Sequence, residues 1–370
     1  MTAENGSPAD SELDPSVAWA ALVDRLRQAG EKMDRLTADL GPEERADGYR
    51  ALLRALNNHL GRFETDRERP ELVAFNEWRE KMLMDNPDFK YWVADIRDDR
   101  PYRITGTMGD AAFLSVTVYR SGGVLDARAT SRLDSDTIPF DADGGFEILL
   151  SRDAPTDGTP WIELLEDSTS VWVRQFYADV EHDRIGGCEI EALEPAPPTA
   201  YIDPGRFDNQ VNRLGKAMSS LPTILDRSAE YDLGHPNTIR HWAEMTKGAA
   251  FTEPGIHYLR GSWQLDHDEA LVVEGVVPRC RYWNILLYSR YGNSLDHRHR
   301  RVSCTGATAT LSQGRYRFAL SAEDPGPGVD WLDTEGRPFG MFLMRFLLPT
   351  GEPAVPTVSV RRRAELGAHR

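Results

Sequence analysis

The feature that most constrains this chain is an internal repeat. "YRITGTMGDAAFLSVTVYRSG" (102–122) aligns with "LVVEGVVPRCRYWNILLYSRYG" (271–292) at an offset of 169. Ile104 falls on Val273, Gly106 on Gly275, Phe113 on Tyr282 and Tyr119 on Tyr288. Further on, "GGFEILLSRD" aligns with "GRYRFALSAED", Trp161 with Trp331 and Arg174 with Arg345, with slips of a residue or two. Both stretches alternate apolar and polar residues between recurrent turn residues, the pattern of half-buried strands. Order kept over so long a stretch predicts two copies of one unit. The fold class expected is mainly β with helical additions: two related β-sandwich or jelly-roll-like units joined by a helical linker and preceded by an N-terminal helical region.

The rest of the chain fits around the repeat. Residues 1–15 read as a disordered tail. Residues 16–86 read as helical: Trp19, Leu22, Val23, Leu26, Met33, Leu36 and Leu40 share a helical face, Ser16 is the expected N-cap, and "ELVAFNEWREKMLM" reads as a third helix. The first β unit is placed at 87–198, the helical linker at 199–250, after the Pro-rich "EPAPPTAYIDP", and the second β unit at 251–368.

Composition excludes several functions. A net charge of −16 on 370 residues argues against a nucleic-acid or anionic-membrane partner, both of which demand a basic surface. The three cysteines are scattered and lack CxxC spacing, so neither a disulfide framework nor a cysteine zinc site is expected. The N-terminus has no signal-peptide pattern and no apolar run is long enough to span a membrane, so a cytoplasmic location and no membrane span are expected. No P-loop, GxGxxG, GxSxG or HExxH occurs, and no cofactor is expected.

The stretch richest in chemistry is "NSLDHRHRRVS" (293–303). Aligned with "VLDARAT" (124–130), its Asp296 and Arg298 match Asp126 and Arg128, while His297 and His299 face alanines in the first copy. What both copies share reads as structural, so Asp296 and Arg298 are expected to hold the turn and the histidines to be free for function. Candidate catalytic residues are Asp296, His297, His299 and Tyr288, because an imidazole held by a carboxylate titrates near neutral pH. No metal site is expected, since no glutamate follows within ten residues. Arg298, Arg300 and Arg301 either clamp an anion or pair with the protein's own carboxylates. In the strand "RYWNILLY", Trp283, Ile285 and Leu287 form an apolar face, while Tyr282, Asn284, Leu286 and Tyr288 form a mixed one, matched by Phe113, Ser115, Thr117 and Tyr119 in the first copy. The mixed face is either a contact between sheets or the wall of a pocket. Candidate ligand-binding residues are Tyr282, Asn284, Arg298, Trp331, Arg345 and Tyr119. Trp331 lies in a long Gly/Pro loop but has a counterpart in Trp161, which suggests a structural plug. Arg174 and Arg345 stand in apolar text and are each expected to pair with a carboxylate such as the aspartate of their own LDxR turn.

"RYWNILLYSRYGNSLDHRHRRVS", "DPGPGVDWLDTEGRPFGMFLMRFLLP" and "NPDFKYWVADIRDDRPYRITGTMGD" resemble domain-of-unknown-function family 1214, which is often paired with family 1254. The likeness is best over about 255–350, weaker over 86–120 and absent from the helical N-terminus. It implies a jelly-roll-like C-terminal domain and no established activity, so it carries over no catalytic residue. The family usually has proline after the "WL" of its loop, where this chain has "WLDTEG". Two functions are open: a cofactor-independent enzyme acting on a small, largely apolar metabolite such as a lipid, steroid or terpenoid, or a non-catalytic β-sandwich protein that binds a ligand or glycan or acts as a scaffold.

Overall fold

The computed structural model describes residues 14–123, 126–198 and 202–366. The expected tail lies outside the described residues up to residue 13, as do residues 124 and 125 of the first LDxR motif. Helix α1 spans Pro15–Leu36, and Asp14, two residues earlier than expected, caps it by accepting from the Ser16 N–H at 2.9 Å. Gly41-Pro42 breaks the chain, and α2 follows at Pro42–Leu60.

The third helix expected before residue 86 is absent. Residues 71–84 form bends and turns around the two-residue strand β1 (Val73–Ala74). Asn76, Leu83 and Met84 take positive φ (61, 49 and 63°), which no helix tolerates. The apolar residues that imitate a helical stripe go to separate partners instead: Phe75 to the Trp172 ring at 4.8 Å, Trp78 to His297 at 5.1 Å.

The linker helix is α3, Pro204–Gly234, capped by Asp203 and continuing through Pro222. It is less a spacer than a third member of the N-terminal bundle. Arg25 of α1 donates to the Asn212 side chain at 3.2 Å, and Leu22 and Met33 share a core with Leu214, Met218 and Leu221.

The first β unit contains β1, β2 (Phe89–Asp95), β3 (Tyr102–Gly109), β4 (Phe113–Ser121), β5 (Ala127–Asp134), β6 (Gly145–Ser151), β7 (Trp161–Glu163), β8 (Ser170–Phe176) and β9 (Ile185–Ala192). The second contains β10 (Ile239–His241), β11 (Ile256–Gln264), β12 (Glu269–Val276), β13 (Tyr282–Tyr288), β14 (Ser303–Thr305), β15 (Arg315–Ser321), β16 (Asp330–Asp333), β17 (Phe339–Leu347) and β18 (Thr357–Arg362). A five-stranded sheet runs β1-β2-β8-β4-β5 in one unit and β10-β11-β17-β13-β14 in the other. A four-stranded sheet runs β7-β6-β3-β9 and β16-β15-β12-β18. The two orders are the same strand for strand.

Register agrees as well. Arg174 lies between Ser115 and Tyr91, and Arg345 between Asn284 and Tyr258, so the two arginines hold one position of the unit. Gly106 and Gly275 face the rings of Phe146 and Tyr316, where a side chain would collide. The indole N–H of Trp161 donates to Ser151 O (3.0 Å) and that of Trp331 to Ser321 O (3.1 Å). The half-buried Trp331 thus makes the same backbone contact as its counterpart.

The equivalence of the two LDxR motifs does not hold. Arg128 lies in β5, opposite Arg120. Asp296–Arg300 form a turn outside any sheet, in a connection (289–302) far longer than its first-unit counterpart (122–126).

Each unit buries its apolar face between its own two sheets. The mixed faces of the five-stranded sheets are turned toward the other unit, with Tyr282 against Phe89 and Phe176 at 5.6 and 5.8 Å. The mixed face is therefore a packed contact at these positions.

Candidate functional site

Tyr119, Asn284, Tyr288 and Arg345 meet in a buried polar seam between the units. Two segments build it, each running into the first long strand of its unit. Residues 81–88, before β2, cover the mixed face of the second unit. Residues 249–255, before β11, cover that of the first. The exchange is reciprocal in detail. The Tyr288 hydroxyl donates to Asp85 O (2.9 Å), and the Tyr119 hydroxyl to Thr252 O (2.6 Å). Arg345 Nη2 donates to Met84 O, and Arg174 Nη2 to Phe251 O. The paired residues Leu83-Met84 and Ala250-Phe251 share positive φ (49 and 63°, 47 and 63°).

The charges, however, are not reciprocal. Arg174 pairs with Glu253 at 3.0 Å, and this carboxylate also accepts from Ser115, Thr117 and Arg132. The corresponding residue in the other segment is Asn86. Arg345 donates to the Tyr288 hydroxyl at 2.7 Å and forms no ion pair among the described residues. Neither arginine pairs with the aspartate of an LDxR turn: Glu253 of the crossing segment takes Arg174, while Arg345 is held by Met84 O and the Tyr288 hydroxyl. Asn284 donates to Asp88 (2.8 Å) and Asn86 (3.3 Å). Arg345 Nη1, Asn86 Nδ2, Asn284 Oδ1 and the Tyr282 hydroxyl are buried without a partner among the described residues. Burial pushes Tyr288 well above the ordinary phenol value. Tyr288 is fully buried, its hydroxyl held between Asp85 O and Arg345.

The long 289–302 connection lies elsewhere, against α2 and the 71–85 segment. Asp296 caps its own turn, with Oδ1 accepting from the Arg298 N–H at 3.2 Å and Oδ2 lying 3.1 Å from His299 Nδ1. Burial opposes ionisation of Asp296, but the His299 and Arg298 hydrogen bonds outweigh it and hold its pKa below the usual carboxylate value. His299 is exposed. His297 is tucked edge-on against Trp78; burial and the nearby Lys81 ammonium lower it to about 3. It stays neutral near pH 7 and is too weak a base for proton transfer there. His297 packs on Trp78, and Arg298 contributes its backbone N–H to the turn while its guanidinium lies 5.3 Å from the Trp78 ring. Arg300 and Arg301 pair with Asp333 (2.7 Å) and Asp330 (3.1 Å) of the Gly/Pro loop, so two of the three arginines go to the protein's own carboxylates.

Trp78 stands at the edge of a cleft of about 220 Å³ lined by Arg50 and Arg54 of α2, by Ser294, Asp296 and Arg300, and by Glu335 and Arg337. Lys81 lies behind it, fully buried, with Nζ 4.2 Å from the indole and donating to Ser294 O and Leu295 O at 2.9 Å. Burial lowers the Lys81 ammonium to about 8. A second cavity, of about 340 Å³, is lined by Tyr282, Trp283, Ala112, Ala178 and Cys280. It is larger, but the first gathers the convergent charged groups that fix a ligand's orientation, which makes it the better candidate. Among the described residues no three His, Cys, Asp or Glu side chains converge as a metal site requires, and no helix is long and apolar enough to cross a membrane.

The family model described as a protein of unknown function, DUF1214, matches residues 94–179 and 263–351. Both β units match DUF1214. The matches avoid α1, α2 and α3, so the cleft is lined mostly by residues inside the second match and partly by α2 and Trp78 outside it. A crystal structure of an uncharacterised protein from Burkholderia cenocepacia is 27% identical, with a TM-score of 0.89 over 96% of this chain and 99% of that one. That likeness takes in the helical region together with the DUF1214 units. The VPA0106 protein from Vibrio parahaemolyticus is 12% identical, with a TM-score of 0.50 over 91% of this chain and 100% of that one; it shares the fold. No curated protein matches.

Sequence reasoning missed Arg50, Arg54, Trp78 and Lys81. They belong to no motif, and Trp78 and Lys81 lie in the segment misread as a third helix. The available signal was the break in the repeat: residues 289–302 have no counterpart of equal length in the first DUF1214 unit and needed a partner elsewhere.

Proposed function

We propose that this protein is a small-molecule-binding protein whose ligand occupies the cleft between α2 and the 289–302 connection. One observation carries the reading. The two β units repeat each other in strand order and register, and the cleft lies where that repetition fails. Whatever both units share is accounted for by folding; a long, well-packed connection present in one alone, closing over charged groups of another element, is what a binding site adds. The ligand favoured is polar, which departs from the apolar metabolite expected of the mixed sheet face, since Asn284 and Tyr288 are occupied in the seam. Turnover has one favourable feature, the Asp296–His299 pair at the cleft, in which a carboxylate orients an exposed imidazole. Screening the protein against a metabolite library by native mass spectrometry tests the reading. Ligands should be retained by the native chain and lost when Arg50→Trp, a change at a half-exposed helical position, fills the cleft. Library ligands that bind equally well to Arg50→Trp, or an absence of ligands altogether, would remove the cleft from consideration.

A further inference from the structure

Charges around the cleft are unequally matched. Its carboxylates are engaged. Asp47 and Glu335 accept from Arg337 at 3.1 and 2.9 Å, Asp296 from His299, and the buried Asp85 turns both oxygens to the N–H and hydroxyl of Ser294 at 2.8 and 2.6 Å. Of its cations, Arg300 and Arg337 are engaged too, by Asp333 and by Glu44, Asp47 and Glu335, but four others are not. Lys81, Arg54 and Arg298 surround the Trp78 ring at 4.2, 5.7 and 5.3 Å, and among the described residues none of the three has a carboxylate within ion-pair distance. Lys81 satisfies itself on backbone carbonyls; Arg54 has one long bond, to Asn293 Oδ1 at 3.4 Å. Arg54 is only 9% exposed, yet it lines the cleft. Arg50 stands one helical turn before it and lines the same cleft, with a single distant contact to Asp47 at 3.9 Å. Like charges four residues apart on a helix repel, and burial together with Arg50 disfavours the charged form of Arg54.

A protein with 59 acidic and 43 basic residues has carboxylates to spare. Leaving four cations without close partners at one place, two of them buried, costs stability unless something negative visits. We propose that the cleft binds a compact oxyanion carrying two or more negative charges, a phosphorylated or polycarboxylate small molecule, held by the Arg50 and Arg54 guanidinium groups with Lys81 and Arg298 supplying field from around Trp78. Arginine forks suit both oxyanion types through paired N–H donors. The proposal rests on the small-molecule reading of the cleft and adds the chemistry of the ligand.

The test is calorimetric titration of the full chain at low ionic strength with inorganic phosphate and with citrate, against sodium chloride as the monovalent control. One-to-one binding of at least one oxyanion is expected, weakened tenfold or more in Arg54→Met and Arg50→Met and unchanged in Arg152→Met, an exposed arginine of the first unit. Folding of each variant is checked by circular dichroism; should Arg54→Met fail to fold, the half-exposed Arg50→Met decides. Whichever probe binds identifies phosphate or carboxylate as the source of the charge. Failure of both probes to bind, or binding indifferent to these two substitutions, overturns the proposal. If neutral or cationic library ligands are meanwhile lost on cleft filling, the binding reading stands and only the oxyanion falls; if no ligand of any charge depends on the cleft, both fall.

Discussion

Glu253 and Asn86 occupy corresponding positions in the two crossing segments, and the difference decides how each buried arginine is held. Glu253 is the counter-ion of both Arg174 and Arg132. Glu253→Gln strands the buried Arg174, while Arg132 keeps Asp134, and should cost about 3–5 kcal/mol, the usual loss when one partner of a buried pair is removed. Asn86→Ala removes only neutral hydrogen bonds and should cost about 1–3 kcal/mol. Urea unfolding of the two variants compares them directly, and an Asn86→Ala loss equal to or larger than that of Glu253→Gln would contradict the charge assignment. The unpartnered atoms of Arg345, Asn86, Asn284 and Tyr282 offer donors, an acceptor and a hydroxyl in one buried neighbourhood, the complement of ordered water; a high-resolution crystal structure should show density bridging them. The histidines give a pH dependence. His297 is lowered from 6.5 to about 3 and His59 to about 4, both chiefly by burial. A histidine whose folded value is depressed binds its proton only on unfolding, so its contribution to stability is full above pH 6.5 and is lost as pH falls toward the folded value. Each histidine steepens that fall by up to about 1.4 kcal/mol per pH unit. His297→Phe should therefore flatten the stability profile between pH 6.5 and 4 relative to the native chain. An unchanged slope would mean that His297 is already solvated.

At the scale of elements, the crossing segments make the two mixed sheet faces interdependent. Tyr119→Phe and Tyr288→Phe each remove a hydroxyl that satisfies a carbonyl of the opposite segment, and each should lower unfolding free energy by about 1–3 kcal/mol. A loss confined to one of them would show that the geometric equivalence of the two seams is not energetic. The repeat itself was legible in the sequence because strands must alternate and because Gly106/Gly275, Tyr119/Tyr288, Trp161/Trp331 and Arg174/Arg345 keep their order for steric and hydrogen-bonding reasons common to both units. The third helix was misread because Leu72, Phe75, Trp78 and Met82 imitate helical spacing, while Phe75 goes to Trp172, Trp78 to His297 and Leu72 to the core of the first unit, and the backbone follows. The LDxR equivalence was misread because alignment at a constant offset cannot register the longer 289–302 connection; the same short motif ends in a strand in one unit and in a free turn in the other.

For the molecule as a whole, Phe89, Phe113 and Phe176 of the first unit share one continuous core with the second. The units should unfold together: fluorescence from the tryptophans and far-ultraviolet dichroism should give coincident denaturation curves, and a resolved second transition would show the units to be separable. The cleft was beyond the reach of sequence for a reason at this scale. Arg54 meets Asn293 across 239 residues, and Arg54 belongs to no motif, so only the completed packing of α2 on the second unit brings the cations to Trp78. The acidic composition even pointed away from an anion site, because net charge averages over the local concentration of arginine that defines it.

The reciprocal crossing of segments 81–88 and 249–255 sets an order of events during synthesis. A ribosome delivers the first unit complete in strands while its Arg174 still lacks Glu253, 79 residues downstream. Until that length has emerged, a buried-type arginine and the Tyr119 hydroxyl face water. Segment 81–88 waits longer, since Arg345 reaches Met84 across 261 residues. The nascent chain therefore carries an unsatisfied surface for most of its translation, and its late closure makes the final strands, rather than the first domain to appear, the step that commits the protein to its native state.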